Sequence, residues 1–139
     1  MLKLDLPTVP LDEHFEGVHV GFPITSQNGT AASAIVYMEL EPGAALPLHQ
    51  DSAEELLLAL EGTVEASVGD EHGTLAEGEI ALVPAMVPHV LRNTGDRRAR
   101  ILGFFAASTN VATFADFVAV IGAPMPIVVP IAQEATVTA

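Results

Sequence analysis

The chain contains no cysteine, which excludes a disulfide framework, a thiol nucleophile and any thiolate metal site. Basic residues are nearly as scarce. Five Lys and Arg stand against 18 Asp and Glu, for a formal charge of −13. Phosphate contacts need a basic stripe, so no nucleic-acid partner is expected. Long apolar runs are missing too: Ile80 to Leu91 is broken by Pro84 and Pro88, and Ala123 to Ile131 by Pro124, Pro126 and Pro130. Both fall short of the ~20 residues of a membrane helix. The start, Met1-Leu2-Lys3-Leu4-Asp5, lacks the regions of a signal peptide. The expectation is a soluble, cytoplasmic protein with no membrane partner.

What remains is 139 residues, 50% of them hydrophobic, enough for one domain with a core that needs no metal or disulfide staple. Any metal is then functional before it is structural. Short β segments are predicted at Val18 to Ile24, Ala34 to Leu40, Glu54 to Leu60, Thr63 to Val68, Ile80 to Val83, His89 to Asn93 and Ala99 to Ala106. Turns fall at Glu61-Gly62, Gly69 to Gly73 and Thr94-Gly95-Asp96. This rhythm predicts an all-β sandwich or barrel. Leu56 to Leu60 is apolar on both parities, so one face lines the interior and the other needs a second sheet or subunit. A homo-oligomer, most simply a homodimer, is expected. Thr113 to Asp116 resembles a capping box, and Phe114, Phe117, Val118 and Ile121 follow a helical stripe ending at Gly122, which predicts a short C-terminal helix. Ala123 to Ile131 reads as an extended arm on a partner chain and Gln133 to Ala139 as a frayed end. Within one domain, residues 1–30 form an N-terminal strand and arm, 31–110 the main β unit, and 111–139 the helix and tail.

Five residues carry metal-ligand chemistry in a compact pattern. His49 and Asp51 are two apart, so on a strand they share a face; Glu54 and Glu55 follow, and His89 comes after Pro88. Two imidazoles with one or two carboxylates suit a divalent cation, and a 2-His-1-carboxylate face is the arrangement of non-haem Fe(II) oxygenases. All donors are N or O, which favours Fe(II) or Mn(II), with Ni or Zn also accommodated. His14, His19 and His72 are read as surface or core residues. The four arginines crowd between Arg92 and Arg100 around Asn93-Thr94-Gly95-Asp96; they read as a solvated hairpin tip or as a site for an anionic substrate.

The spacing extends into two blocks. Gly43, His49, Asp51, Glu55 and Gly62 are followed by Gly78, Pro84, Met86, His89 and Asn93. These closely resemble the two motifs of the cupin superfamily, G-x5-H-x-H-x3,4-E-x6-G and G-x5-P-x-G-x2-H-x3-N, with four of five fixed positions matching in each. The blocks span about a third of the chain. The resemblance implies a single cupin-type β-barrel or jelly roll, dimers formed through its outer face, and a divalent metal held by His49, Asp51, Glu55 and His89. His89 would meet His49 across the barrel. Asp51 stands where the family usually has its second metal His, and Met86 replaces a glycine. Met86 is expected at the pocket mouth, with Met38 and Tyr37, the only tyrosine, as pocket residues and the Tyr37 hydroxyl at the rim.

Such a fold hosts many chemistries. The leading expectation is a metal-dependent enzyme acting on a small organic molecule, with dioxygenation named first, lyase or isomerase chemistry next, and Glu55 as general base where it is not ligated. The alternative is a non-catalytic small-molecule binding or sensing module with a degraded metal site. A third reading, a 2-oxoglutarate oxygenase, draws on His49-x-Asp51, His89 and Arg100.

Overall fold

The computed structural model describes residues 1–123 and 127–131. In chain order the strands are β1 (Asp12–Phe15), β2 (Val18–Ile24), β3 (Ala34–Leu40), β4 (Ala45–Asp51), β5 (Glu55–Glu61), β6 (Val64–Val68) and β7 (Glu71–Leu75). They continue with β8 (Ile80–Val83), β9 (His89–Arg92), β10 (Ala99–Phe105), β11 (Asn110–Thr113), β12 (Phe117–Ile121) and β13 (Ile127–Pro130). Helix among the described residues is limited to two 3-10 turns, Leu6–Thr8 and Ser26–Asn28. None is long and apolar enough to cross a membrane.

The strands build two antiparallel sheets, one ordered β1-β2-β3-β10-β5-β8 and the other β13-β12-β11-β4-β9-β6-β7. The pleat explains the pairing. Leu57 and Ala59 of β5 and Ile101 and Phe105 of β10 are buried, as are Val36 and Met38 of β3, while Leu46, Val64, Leu75 and Leu91 come from the other sheet. These residues form one core, because each strand of a two-layer fold must hide one face. On the opposite parity of β5 the side chains are only partly covered, and Leu56 is exposed. Leu56 pairs in register with Phe104 on one side and Leu82 on the other, and Leu56, Phe104, Leu82 and Ile80 all stay exposed.

The helix expected at Thr113 to Gly122 is replaced by the β11–β12 hairpin. Thr113 pairs with Val118 and Asn110 with Ile121, and the would-be capping box is the hairpin loop, closed by the Phe114 amide donating to the Phe117 carbonyl at 2.9 Å. Val118, Val120 and Ile121 are β-branched and favour a pleated surface. Neighbouring strands on both sides supply backbone partners that eight residues of helix cannot match. The arm expected at Ala123 to Ile131 is extended over its described part, where it forms the edge strand of its own chain's sheet. Val128 and Val129 pair with Ala119 and Val118 of the same chain. The tail from Gln133 lies outside the described residues.

Between β8 and β9 the chain turns through Pro84 to Pro88, where Met86 adopts φ 65°, the one positive φ among described non-glycine residues. A side chain in this left-handed region costs about 1–2 kcal/mol, and the motif the chain resembles has glycine at this position. Met86 is more than half exposed, so little packing is lost on removing it. Met86→Gly is therefore expected to stabilise the fold by about 1 kcal/mol, raising the thermal midpoint by a few degrees. Calorimetric melting of the two proteins checks this, and an unchanged or lower midpoint contradicts it.

Candidate metal centre

A local irregularity in β4 aims the first histidine inward. Leu46 pairs with Leu91 and His49 with His89, so three steps on β4 oppose two on β9. The extra residue is a β-bulge that includes Pro47, whose missing N–H costs nothing in an interrupted ladder. The bulge resets the alternation, which lets Leu46 and His49 both face the interior. Asp51, two further on, shares the face of His49. His89, the first residue of β9, lies beside His49 with ring centroids 4.1 Å apart. The two imidazoles are thus neighbours in one sheet and do not meet across the fold as expected. The crossing is made by Glu55, which reaches in from β5 of the other sheet.

The Nε2 atoms of His49 and His89 and an Asp51 oxygen lie within 4.8 Å of one another, all three residues buried. Each imidazole is set by the backbone: His49 Nδ1 donates to the Pro47 carbonyl at 2.8 Å and His89 Nδ1 to the Val87 carbonyl at 3.0 Å. A carbonyl only accepts, so Nδ1 carries the proton and Nε2 faces the cluster, the second-sphere arrangement usual for metal-binding histidine. Asp51 is oriented likewise. Asn110 Nδ2 donates to Asp51 Oδ1 at 2.8 Å, while its Oδ1 accepts from the Ala53 amide at 3.1 Å. That leaves Asp51 Oδ2, 3.6 Å from His49 Nε2 and 3.2 Å from His89 Nε2. Even so, Asp51 Oδ2 and His89 Nε2 have no hydrogen-bond partner of proper geometry. Two orphaned polar atoms in a buried cluster are costly, and a divalent cation with N and O preferences satisfies both. The donor set fits such an ion.

Glu55 stands just outside this trio, its Oε1 3.6 Å from His89 Nε2. It fits there because position 103 is glycine: a Cβ at Gly103 of β10 would lie 2.5 Å from Glu55 Oε2. Burial raises the Glu55 carboxyl to about 7, against the lowering effect of the neighbouring His89 imidazole. Burial pulls His89 down, but Asp51 and Glu55 outweigh it and hold its imidazolium up to about 10. His49 is lowered by burial and by His89.

The cluster sits on the wall of a cavity of ≈490 Å³. Met38 and Val36 line it; Tyr37, between them, points to the opposite face of β3, where it donates to Glu39 at 2.6 Å and accepts from Arg100 Nε at 2.7 Å. Met86 is exposed and is not among the lining residues. His14 lines the cavity, whereas His19 binds Glu41 and His72 binds Ser67 elsewhere. Arg100, which the 2-oxoglutarate reading needs near the ligands, is held on the outer face by Tyr37 and Glu61. The other arginines flank a hairpin tip braced by Asn93, whose Nδ2 donates to the Leu40 and Arg97 carbonyls.

A family model described as a cupin domain matches residues 36–105, half of the chain. The chain belongs to the cupin family. Comparison with curated proteins returned no match. Among solved structures, a cupin-superfamily sugar phosphate isomerase from Silicibacter pomeroyi superposes with TM-score 0.69 at 20% identity, covering 93% of this chain and 92% of the other. A polyketide cyclase from Streptomyces resistomycificus gives TM-score 0.67 at 15% identity over 97% and 88% of the two chains. Lactobacillus farciminis oxalate decarboxylase gives 0.73 at 19% identity, covering 81% of this cupin but only 35% of the longer enzyme. At such identities the likeness shows a shared fold, over which unrelated reactions are spread.

Protons and a cation compete for the same nitrogen. With His89 held protonated up to about 10 and Glu55 up to about 7, a metal entering at neutral pH displaces at least one proton. Its affinity therefore rises with pH, about tenfold per unit for each proton released. Isothermal titration with Mn(II) at pH 6, 7 and 8 is expected to show this slope, with proton release seen as a dependence of the heat on buffer. A pH-independent affinity would contradict the displacement of a proton from His89 by the metal.

Proposed function

We propose that this cupin is a metal-dependent enzyme acting on a small organic molecule in its cavity, with Fe(II) or Mn(II) as the first candidates and Ni or Zn as alternatives. The observation that carries the reading is the convergence of His49, Asp51 and His89 with two of their buried polar atoms unpartnered. These three residues would hold the ion. When bound, it supplies Lewis acidity and, as Fe(II) or Mn(II), one-electron chemistry with O₂, which makes dioxygenation the first choice over lyase or isomerase chemistry.

The chain's own groups have separable tasks. Glu55 carries a carboxyl raised to about 7, near the optimum for taking a proton from substrate at neutral pH and returning it. His49 and His89, locked through Nδ1, keep their Nε2 atoms directed at one point, where a metal would take the place of the His89 proton. The apolar walls exclude water and strengthen every polar interaction within. The binding-module alternative keeps the cavity and gives Glu55 no proton to move. Elemental analysis of protein purified without a polyhistidine tag or chelator separates the two, run beside His89→Ala. The expected result is about one transition-metal ion per chain, lost in the variant. No metal after reconstitution contradicts the enzyme reading.

The protein is further proposed to be a cytoplasmic homodimer, paired through the outer face of the six-stranded sheet. The support is the exposed apolar band of Leu56, Ile80, Leu82 and Phe104, since such patches on a soluble protein mark interaction sites. Sedimentation equilibrium is expected to give a dimer that Leu82→Glu converts to a monomer. A monomeric unsubstituted protein overturns the assembly.

A further inference from the structure

The chain's lysine and arginine side chains all lie away from the cavity. Its five basic residues are Lys3, Arg92, Arg97, Arg98 and Arg100, and none lines the cavity. Arg98 is paired with Glu39 and Arg100 with Glu61 on the outer face. A phosphate or dicarboxylate entering a low-dielectric site needs a fixed cation, most often arginine, to replace its hydration. The walls offer no lysine or arginine, and the one imidazolium they hold, His89, is already matched by Asp51 and Glu55. A divalent ion held there would have its charge offset by the Asp51 carboxylate, and further by Glu55 once that carboxyl is deprotonated. Asp51 matters most here: it brings a negative charge to a position where the cupin motif has a neutral imidazole.

The cavity is instead built for rings. Phe114 lies 4.7 Å from His49, nearly parallel to it, and 4.6 Å from Phe117, again nearly parallel. Phe15 continues the series 5.9 Å from Phe117. This aromatic wall runs from the ligand cluster along the β11–β12 hairpin loop, and Val36, Met38, Leu46, Leu91 and Phe105 close the apolar lining. A volume of ≈490 Å³ is in the range of pockets that enclose a small organic ligand. Planar rings gain beyond their area when packed against other rings, so the wall selects them over flexible chains.

We infer that the cavity takes an uncharged, planar aromatic molecule, held against the Phe15–Phe114–Phe117 wall with a polar oxygen toward His49, Asp51 and His89, and that it rejects phosphorylated and dicarboxylate ligands. The inference deepens the enzyme proposal by naming its substrate class, yet its ring-binding part needs no metal. The probe is 2-naphthol, whose fluorescence is readable because the chain has no tryptophan. Titrations compare it with decanol, oxalate and glucose 6-phosphate, on chelator-treated and on Mn(II)-treated protein. Saturable 2-naphthol binding at least tenfold tighter than that of the other three is expected. Phe117→Ala should weaken it about tenfold and Phe117→Leu, which keeps the apolar volume, several-fold. Phe117 is chosen because it touches Phe114 and not the ligands, and the ligand comparison on unsubstituted protein decides the matter even if the alanine variant does not fold.

Tighter binding of oxalate, glucose 6-phosphate or decanol overturns the inference. Naphthol binding unaltered in both variants overturns the assigned wall. Saturable naphthol binding by a protein that never takes up metal leaves this inference standing and removes the metalloenzyme reading. Mn(II) uptake accompanied by preference for oxalate does the reverse.

Discussion

Burying two imidazoles and a carboxylate side by side, with their facing atoms unsatisfied, is unfavourable in any apolar interior, and the local structure around the cluster is arranged to hold that juxtaposition. The bulge at Pro47 turns His49 inward. Backbone carbonyls of Pro47 and Val87 take the far proton of each ring. Asn110 occupies one Asp51 oxygen and leaves the other free. Gly103 gives up a side chain so that Glu55 can approach from the opposite sheet. Each device adds order to groups that would be more stable dispersed in water, and a cation at their centre would offset that cost. A site held at this cost is one that the surrounding fold has to over-determine.

The same sheets divide their two faces between different tasks. Inward residues of β3, β5 and β10 form the cavity floor and the core, while outward residues of the same strands present either the apolar band around Leu56 or the polar cluster of Tyr37, Glu39 and Arg100, which Arg98 joins from just before β10. Alternation along β10 thus keeps Arg100 on the side away from the His49, Asp51 and His89 cluster. Charge segregation of this kind follows from the pleat alone, and it decides which molecules can enter.

Much of this was legible in the sequence where period and spacing agree. Val18 to Ile24, Ala34 to Leu40 and Ile80 to Val83 form strands with the predicted bounds, because β-branched and apolar residues there lie between clear turns. Legibility failed where a rule was locally broken. Pro47 and its bulge disguise β4, although that strand carries two of the ligands. Gly69 to Gly73 is polar and glycine-bearing and reads as a turn, yet from Glu71 the chain already pairs as β7 at the sheet edge, where exposure tolerates such residues. Phe114, Phe117, Val118 and Ile121 satisfy a helical stripe and a hairpin equally well, and only the neighbouring strands decide between them. At the site, the spacing frame brought out His49, Asp51, Glu55 and His89. Asn110 has no spacing rule to announce it, since its contact is with a residue 59 positions away. Gly103 was detectable in principle: a lone glycine inside a strand marks a close approach.

The account stands on a cation seated among His49, Asp51 and His89. The most direct test is anomalous diffraction from crystals grown with Mn(II), measured above and below the manganese edge. One strong peak within bonding distance of His49 Nε2, Asp51 Oδ2 and His89 Nε2 is the predicted result. A map with no peak there, whether manganese binds elsewhere or nowhere, contradicts it.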